Sequence, residues 1–248
     1  MSWKFIDCNG TFRLDNADAF NKLYFPLVNE RGMMSSITPN LNGDINCGQN
    51  HFLLQPVSIE DLHNNRSGRN FWLYIEGYGA WSVCGNSARQ ISDRFGNHTE
   101  NKEQVYLEVG FLWHKVVREN SNINIKAEVT NFVPVEDDLV ELMEIKISNV
   151  GEETVEFIPT AAIPIYGRSA DNLRDHRHVT SLLNRIITND YGVIVKPTLL
   201  FDERGHKKNN TSYAVFGCEG QGLEPVGFYP VLEDFIGEGG TLDWPRSI

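Results

Sequence analysis

The sequence predicts an all-β fold: an antiparallel β-sandwich with only a few short helices. Three observations predict it. Apolar and polar residues alternate through the middle of the chain, with the period of a half-buried strand. Short turns rich in Asn, Gly and acidic residues separate these runs, as in an antiparallel meander. Elsewhere the apolar segments are too brief and too broken by Gly, Pro and Asn for more than short helices.

In the N-terminal third, the apolar segments Trp3 to Ile6, Tyr24 to Val28, Phe52 to Leu54 and Phe71 to Ile75 read as strands. Clusters such as Pro39-Asn40-Leu41-Asn42-Gly43-Asp44 read as loops. Asp15 to Leu23 and Ser58 to His63 are candidate helices, the second because Ser58 and Asp61 have capping-box spacing. The clearest alternation runs through Val105, Leu107, Val109, Phe111 and Trp113, which are expected to face the core. After the polar turn Arg118-Glu119-Asn120-Ser121-Asn122 it resumes with Ile123, Ile125, Ala127 and Val129. After Pro134 to Asp138 it resumes again with Met143, Ile145 and Ile147, and Val155 and Phe157 extend it. Glu136-Asp137-Asp138 reads as a solvated turn. Tyr191 to Leu200 and Tyr213 to Phe216 are the last strands. Residues 1–236 are expected to form the sandwich domain, and 237–248 to begin a linker.

A length of 248 residues supports a sizeable core without disulfides. Cys8, Cys47, Cys84 and Cys218 lack CxxC spacing and read as free thiols. With 22 Lys+Arg against 33 Asp+Glu, the net charge of −11 repels phosphate backbones and anionic lipid, which argues against nucleic acid or a membrane as partner. No apolar run approaches the roughly 18 residues of a membrane span, and the start has no signal-peptide pattern. The expectation is a soluble, cytoplasmic protein.

Phosphate-binding GxxxxGK[ST], dinucleotide-binding GxGxxG and nucleophile GxSxG patterns are absent from the sequence. No catalytic residue, cofactor or metal is assigned: His176-x-His178 could offer two imidazoles, but no third ligand has suitable spacing. Trp72 and Tyr74 share a strand face, with Tyr78 and Trp81 close behind. Two readings of these aromatics stand, core packing or stacking on pyranose rings, with Trp72 and Trp81 the stacking candidates. Arg168, Asp171, Arg174, Asp175, His176, Arg177 and His178 lie in a segment almost free of apolar residues. It reads either as a solvated loop or as an edge whose forks and carboxylates face a sugar or a partner.

The segments Tyr24-Phe25-Pro26-Leu27-Val28-Asn29-Glu30, Ser35-Ser36-Ile37-Thr38-Pro39, Gly43-Asp44, Arg69-Asn70-Phe71-Trp72 and Trp81-Ser82 occur in that order. In them the chain resembles the amino-terminal domain of the inverting cellobiose, chitobiose and laminaribiose phosphorylases, glycoside hydrolase family 94, once glycosyltransferase family 36. The run Arg174 to Leu182 is similar to that of members acting on β-linked glucans. The resemblance implies a large antiparallel β-sandwich, or supersandwich, preceding a linker and an (α/α)6 barrel. In the family that barrel carries the general acid and the pocket for inorganic phosphate, the co-substrate of the full-length enzyme. It also implies a homodimer in which this domain leans towards a neighbouring active site, with a β-linked glucose oligosaccharide as substrate. On this reading the chain alone is non-catalytic. A stand-alone carbohydrate-binding module is the alternative, and an autonomous glycosidase would need a carboxylate pair that the sequence does not single out.

Overall fold

The computed structural model describes residues 3–57, 65–96, 103–170, 183–202 and 205–248. Among the described residues, seventeen strands follow in chain order. The first six are β1 (Trp3–Phe5), β2 (Phe12–Asp15), β3 (Phe25–Val28), β4 (Met34–Ile37), β5 (Ile45–Asn46) and β6 (Asn70–Ile75). Then come β7 (Gly79–Ser82), β8 (Gln104–Gly110), β9 (Trp113–Asn120), β10 (Ile125–Phe132), β11 (Leu142–Asn149) and β12 (Phe157–Ala162). The last five are β13 (Asn184–Asn189), β14 (Gly192–Pro197), β15 (Leu199–Asp202), β16 (Gly205–Lys208) and β17 (Tyr213–Phe216). The helices among the described residues are short. The chain is all-β and divides into two compact units: one of residues 1–43, 69–162 and 248, the other of residues 44–68 and 163–247.

The first unit is built on a six-stranded antiparallel sheet in the order β1-β2-β8-β9-β10-β11. Its inner face carries the period-two residues that the sequence marks out: Val105, Leu107 and Val109 from β8, and Ile125, Ala127 and Val129 from β10, all buried. A three-stranded sheet, β12-β6-β7, and the β3–β4 hairpin complete the unit. The strand after β11 does not extend the meander. β12 leaves the large sheet and pairs antiparallel with β6, Phe157 opposite Ile75.

Two readings of the middle of the chain are corrected. The alternation from Val105 to Trp113 is two strands, not one: Gly110 pairs with Trp113 across a two-residue turn in which Leu112 takes a left-handed φ of 61°. Phe111, expected in the core, is at the tip of that turn and 84% exposed. Gly110 is needed there because a Cβ would lie 2.2 Å from the Trp113 indole nitrogen. The second correction concerns Arg118, which belongs to β9 and is buried; the turn begins at Ser121 and contains Asn124 with φ 55°. The acidic turn behaves as read: Glu136, Asp137 and Asp138 are exposed, and Asn29 Nδ2 reaches the carbonyls of Pro134, Glu136 and Asp138 at 3.1, 3.1 and 2.8 Å.

Of the candidate helices, the first is a 3-10 turn over Ala17–Phe20, and the second, Ser58 to His63, lies outside the described residues. An α-helix at Ala88–Phe95, not anticipated from the sequence, starts at Ser87, whose hydroxyl accepts the Gln90 amide at 3.1 Å.

In the second unit, β13, β14 and β17 form one antiparallel sheet and β15 and β16 a hairpin. The tail folds back on a short helix, Leu232–Ile236. The Arg246 amide donates to the Ile236 carbonyl at 3.0 Å, and Ser247 Oγ to the Phe235 carbonyl at 2.7 Å. Residues 237–247 form turns tied to this helix by these bonds.

Candidate functional site

Of the polar segment singled out in the sequence, Arg168 is described. Asp171, Arg174, Asp175, His176, Arg177 and His178 lie outside the described residues. The backbone leading into that segment is stapled within the second unit. Phe52 and Arg168 form an antiparallel bridge: the Phe52 amide donates to the Arg168 carbonyl at 2.9 Å, and the Gly167 amide to the Phe52 carbonyl at 3.0 Å. The Ala170 amide donates to the Gln49 carbonyl at 3.0 Å. Gly167 turns the chain with φ 65°, and the Arg168 guanidinium lies 5.5 Å from the Tyr166 ring.

Trp72 and Trp81 are in the core of the first unit, 1% and 0% exposed. A covered indole has no face to offer a pyranose ring, which corrects their reading as stacking platforms. Trp81 Nε1 instead donates to Glu103 at 2.6 Å.

That bond belongs to a buried charge network that the sequence reading did not find. Arg118 Nη1 and Nη2 donate to Asp18 at 3.0 and 2.7 Å, and Nη1 also to Glu103 at 2.6 Å. Its Nε and Nη2 reach the carbonyls of Val83 and Cys84 at 3.2 and 3.3 Å. Glu103 also accepts from Gln90 Nε2 at 3.0 Å and Asn120 Nδ2 at 3.0 Å, and Arg94 flanks Asp18 at 3.4 Å. Burial alone would push the Asp18 carboxyl up, but the Arg118 charge and hydrogen bonds outweigh it and hold Asp18 below the ordinary carboxylate range. Arg118 is likewise held protonated: desolvation opposes its charge, and Asp18 and Glu103 overcome it. Gly85 makes room, since a Cβ there would lie 2.1 Å from the guanidinium. A general acid needs a raised pKa, so Asp18 is arranged for the opposite task.

A second buried arginine, Arg69, forks onto Glu141 at 2.5 and 2.8 Å and reaches Ser35 Oγ at 2.7 Å and the Gly43 carbonyl at 3.2 Å. Asn131 Nδ2 donates to the same glutamate at 2.9 Å. Ser35, Gly43 and Arg69 are among the residues that carry the family resemblance. Gly43 has φ 132°, and a Cβ there would meet the Ser36 carbonyl oxygen at 2.0 Å. These signature residues therefore have a structural task at this clasp. Cys84, beside it, donates to the Arg69 carbonyl at 2.9 Å, and burial pushes its thiol up to about 12, so it is no nucleophile at neutral pH.

An open groove of about 500 Å3 lies at one end of the first unit, where the β6–β7 turn, the β9–β10 turn and residues 153–156 meet. Glu76, Glu153 and Glu156 line it with exposed carboxylates, alongside Asn122, Asn124 and Tyr78. No Lys or Arg is among the lining residues. Such a surface accepts hydrogen bonds from hydroxyl groups and repels phosphate. Among the described residues no cluster of three His, Cys, Asp or Glu could hold a metal ion, and no helix is long and apolar enough to cross a membrane.

Antiparallel sheets joined by short turns, with buried charges committed to internal ion pairs, define an all-β sandwich domain. The chain belongs to the glycosyl hydrolase 94 supersandwich domain family, whose model matches residues 33–248. Its role is thereby tied to carbohydrate. No curated protein matches the chain.

Proposed function

We propose that the chain is the carbohydrate-associated N-terminal domain of an inverting β-glucoside phosphorylase. By itself it is non-catalytic, and it contributes to the substrate edge and to dimer formation. The family match over residues 33–248 carries this reading. Inversion requires an acid and an attacking phosphate on opposite faces of one sugar. Asp18 and Glu103, the carboxylates gathered around Arg118, face that guanidinium instead. The backbone at Gly167 to Ala170, which precedes the Arg174–His178 run in the sequence, is hydrogen-bonded to Phe52 and Gln49. In this account that run faces the β-linked glucose oligosaccharide or a second subunit, and the parent's barrel binds inorganic phosphate.

The test supplies the purified chain with glucose 1-phosphate and glucose, cellobiose or laminaribiose, and measures phosphate release. The expected result is no turnover above a heat-treated control. Turnover that survives repurification would overturn the reading. The groove at Glu76, Tyr78 and Glu153 favours a second reading, a carbohydrate-binding module acting alone. Saturable heat on titration with cellobiose or laminaribiose, lost in Tyr78→Ala, would establish that one.

A further inference from the structure

The six-stranded sheet ends on β11, and among the described residues no strand pairs with its outer side. The strand is eight residues long, whereas β1 at the opposite edge has three. Among the described residues this edge is left without a ladder partner, and an edge of that length is a template for a further strand. Along β11 the side chains sort onto two faces. Met143, Ile145 and Ile147 are half-buried and continue the apolar inner face, while Leu142, Glu144 and Lys146 are exposed on the other.

The order of these residues is self-complementary about Ile145. If a second β11 runs antiparallel around a two-fold axis through that residue, Ile145 faces Ile145 and Met143 faces Ile147. Glu144 then faces Lys146 in both directions. The exposed Val140 and Val150 fall opposite one another in the same register. Moving the axis to Glu144 sets Glu144 against Glu144, and moving it to Lys146 sets Lys146 against Lys146; like charges directly opposite are destabilising. Placing the axis between residues pairs Ile145 with Lys146 and mismatches the two faces. Within the chain, Glu128 stands opposite Lys146 in the ladder but is already bonded by Lys115 and Lys126 at 2.8 and 3.0 Å. Among the described residues Lys146 has no ion-pair partner, and it can serve a partner strand.

We propose that β11 is a homodimerisation edge, pairing antiparallel with β11 of a second copy in the register centred on Ile145. The apolar inner faces of the two sheets then join into one, and two symmetric Glu144–Lys146 pairs set the register. This deepens the dimer-forming part of the proposed function. It uses neither a sugar nor phosphate, so its failure and that of the phosphorylase reading show up in different assays.

The test is the mass of the whole chain by sedimentation, with Glu144→Lys, Lys146→Glu and the double swap. Each single change puts like charges opposite twice, so the dimer constant should weaken at least about tenfold, while the double swap should restore it. Ile145→Cys, in a chain with Cys8→Ser and Cys218→Ser, should form a disulfide-linked dimer on oxidation. The Cα separation of about 4.5–5.5 Å in antiparallel pairs lies within disulfide range. A wild-type monomer at all concentrations, a dimer indifferent to the single changes, a double swap no better than the singles, or an Ile145→Cys chain that does not cross-link would each overturn the proposal.

Discussion

Strand β9 solves the problem of burying a polar side chain in two different ways on one face. Near its end, Arg118 is 1% exposed and keeps its charge; near its start, His114 is 0% exposed and gives its charge up. Arg118 can remain charged because the carboxylates of Asp18 and Glu103 and the carbonyls of Val83 and Cys84 surround it with opposite charge and acceptors. His114 packs against the Phe25 ring at 5.6 Å, and neither of its ring nitrogens has a hydrogen-bond partner among the described residues. Burial first, and then the Arg69 charge, push its imidazole down to about 3. A buried ion is stable where its partners are complete; where they are not, the group sheds its proton.

Removing Arg118 has the largest expected effect. Arg118→Met leaves Asp18 and Glu103 buried without their cation, and should cost about 3–5 kcal/mol in denaturant unfolding of the chain, the range for breaking a buried pair. A loss below about 1 kcal/mol would mean that solvent reaches both carboxylates.

A smaller effect sharpens the other side. His114 is neutral in the fold and titrates at an ordinary 6.5 once unfolded. The unfolded chain therefore takes up a proton that the native chain refuses. Stability from this group is complete above about pH 6.5 and is lost as pH falls towards 3, by about 1.4 kcal/mol per unit at most. His51, lowered more mildly by burial, acts in the same direction, so the diagnostic is the difference between chains. Unfolding free energies of wild type and His114→Phe, measured between pH 7 and pH 5, should diverge in slope. Parallel curves would show that His114 is protonated or hydrated in the fold.

Much of the architecture was legible in the sequence because period-two burial writes itself directly into side-chain alternation. The inner faces of β8 and β10 follow it, and β17 matches its anticipated limits, Tyr213–Phe216. The pattern misled where an apolar residue stood in a turn. Phe111 kept the alternation going across a hairpin whose only local marks were Gly110 and a left-handed Leu112. It misled again where a charged residue stood in the core, since Arg118 beside Glu119 and Asn120 has the composition of a turn. Its partners, Asp18 and Glu103, are 100 and 15 residues away, and such pairing leaves no local trace. The aromatic pair Trp72 and Trp81 shows the same limit, because composition does not distinguish a stacking face from a core face. The family signature was legible as a pattern, but its physical content at Ser35, Gly43 and Arg69 emerged only from the clasp that these residues form with Glu141.

The carboxylates around Arg118 serve the fold rather than acid catalysis, and the protonation of Asp18 reports on this directly. The measurement is a carboxyl-carbon NMR titration of the intact chain, followed from neutral pH downwards with Asp18→Asn to assign the signal. The Arg118 charge and hydrogen bonds hold the Asp18 carboxyl below its ordinary 3.8, so the midpoint of its titration should fall below that value. A titration step above about pH 4.5 would place a proton on Asp18 in the range where a general acid works, and would contradict the account.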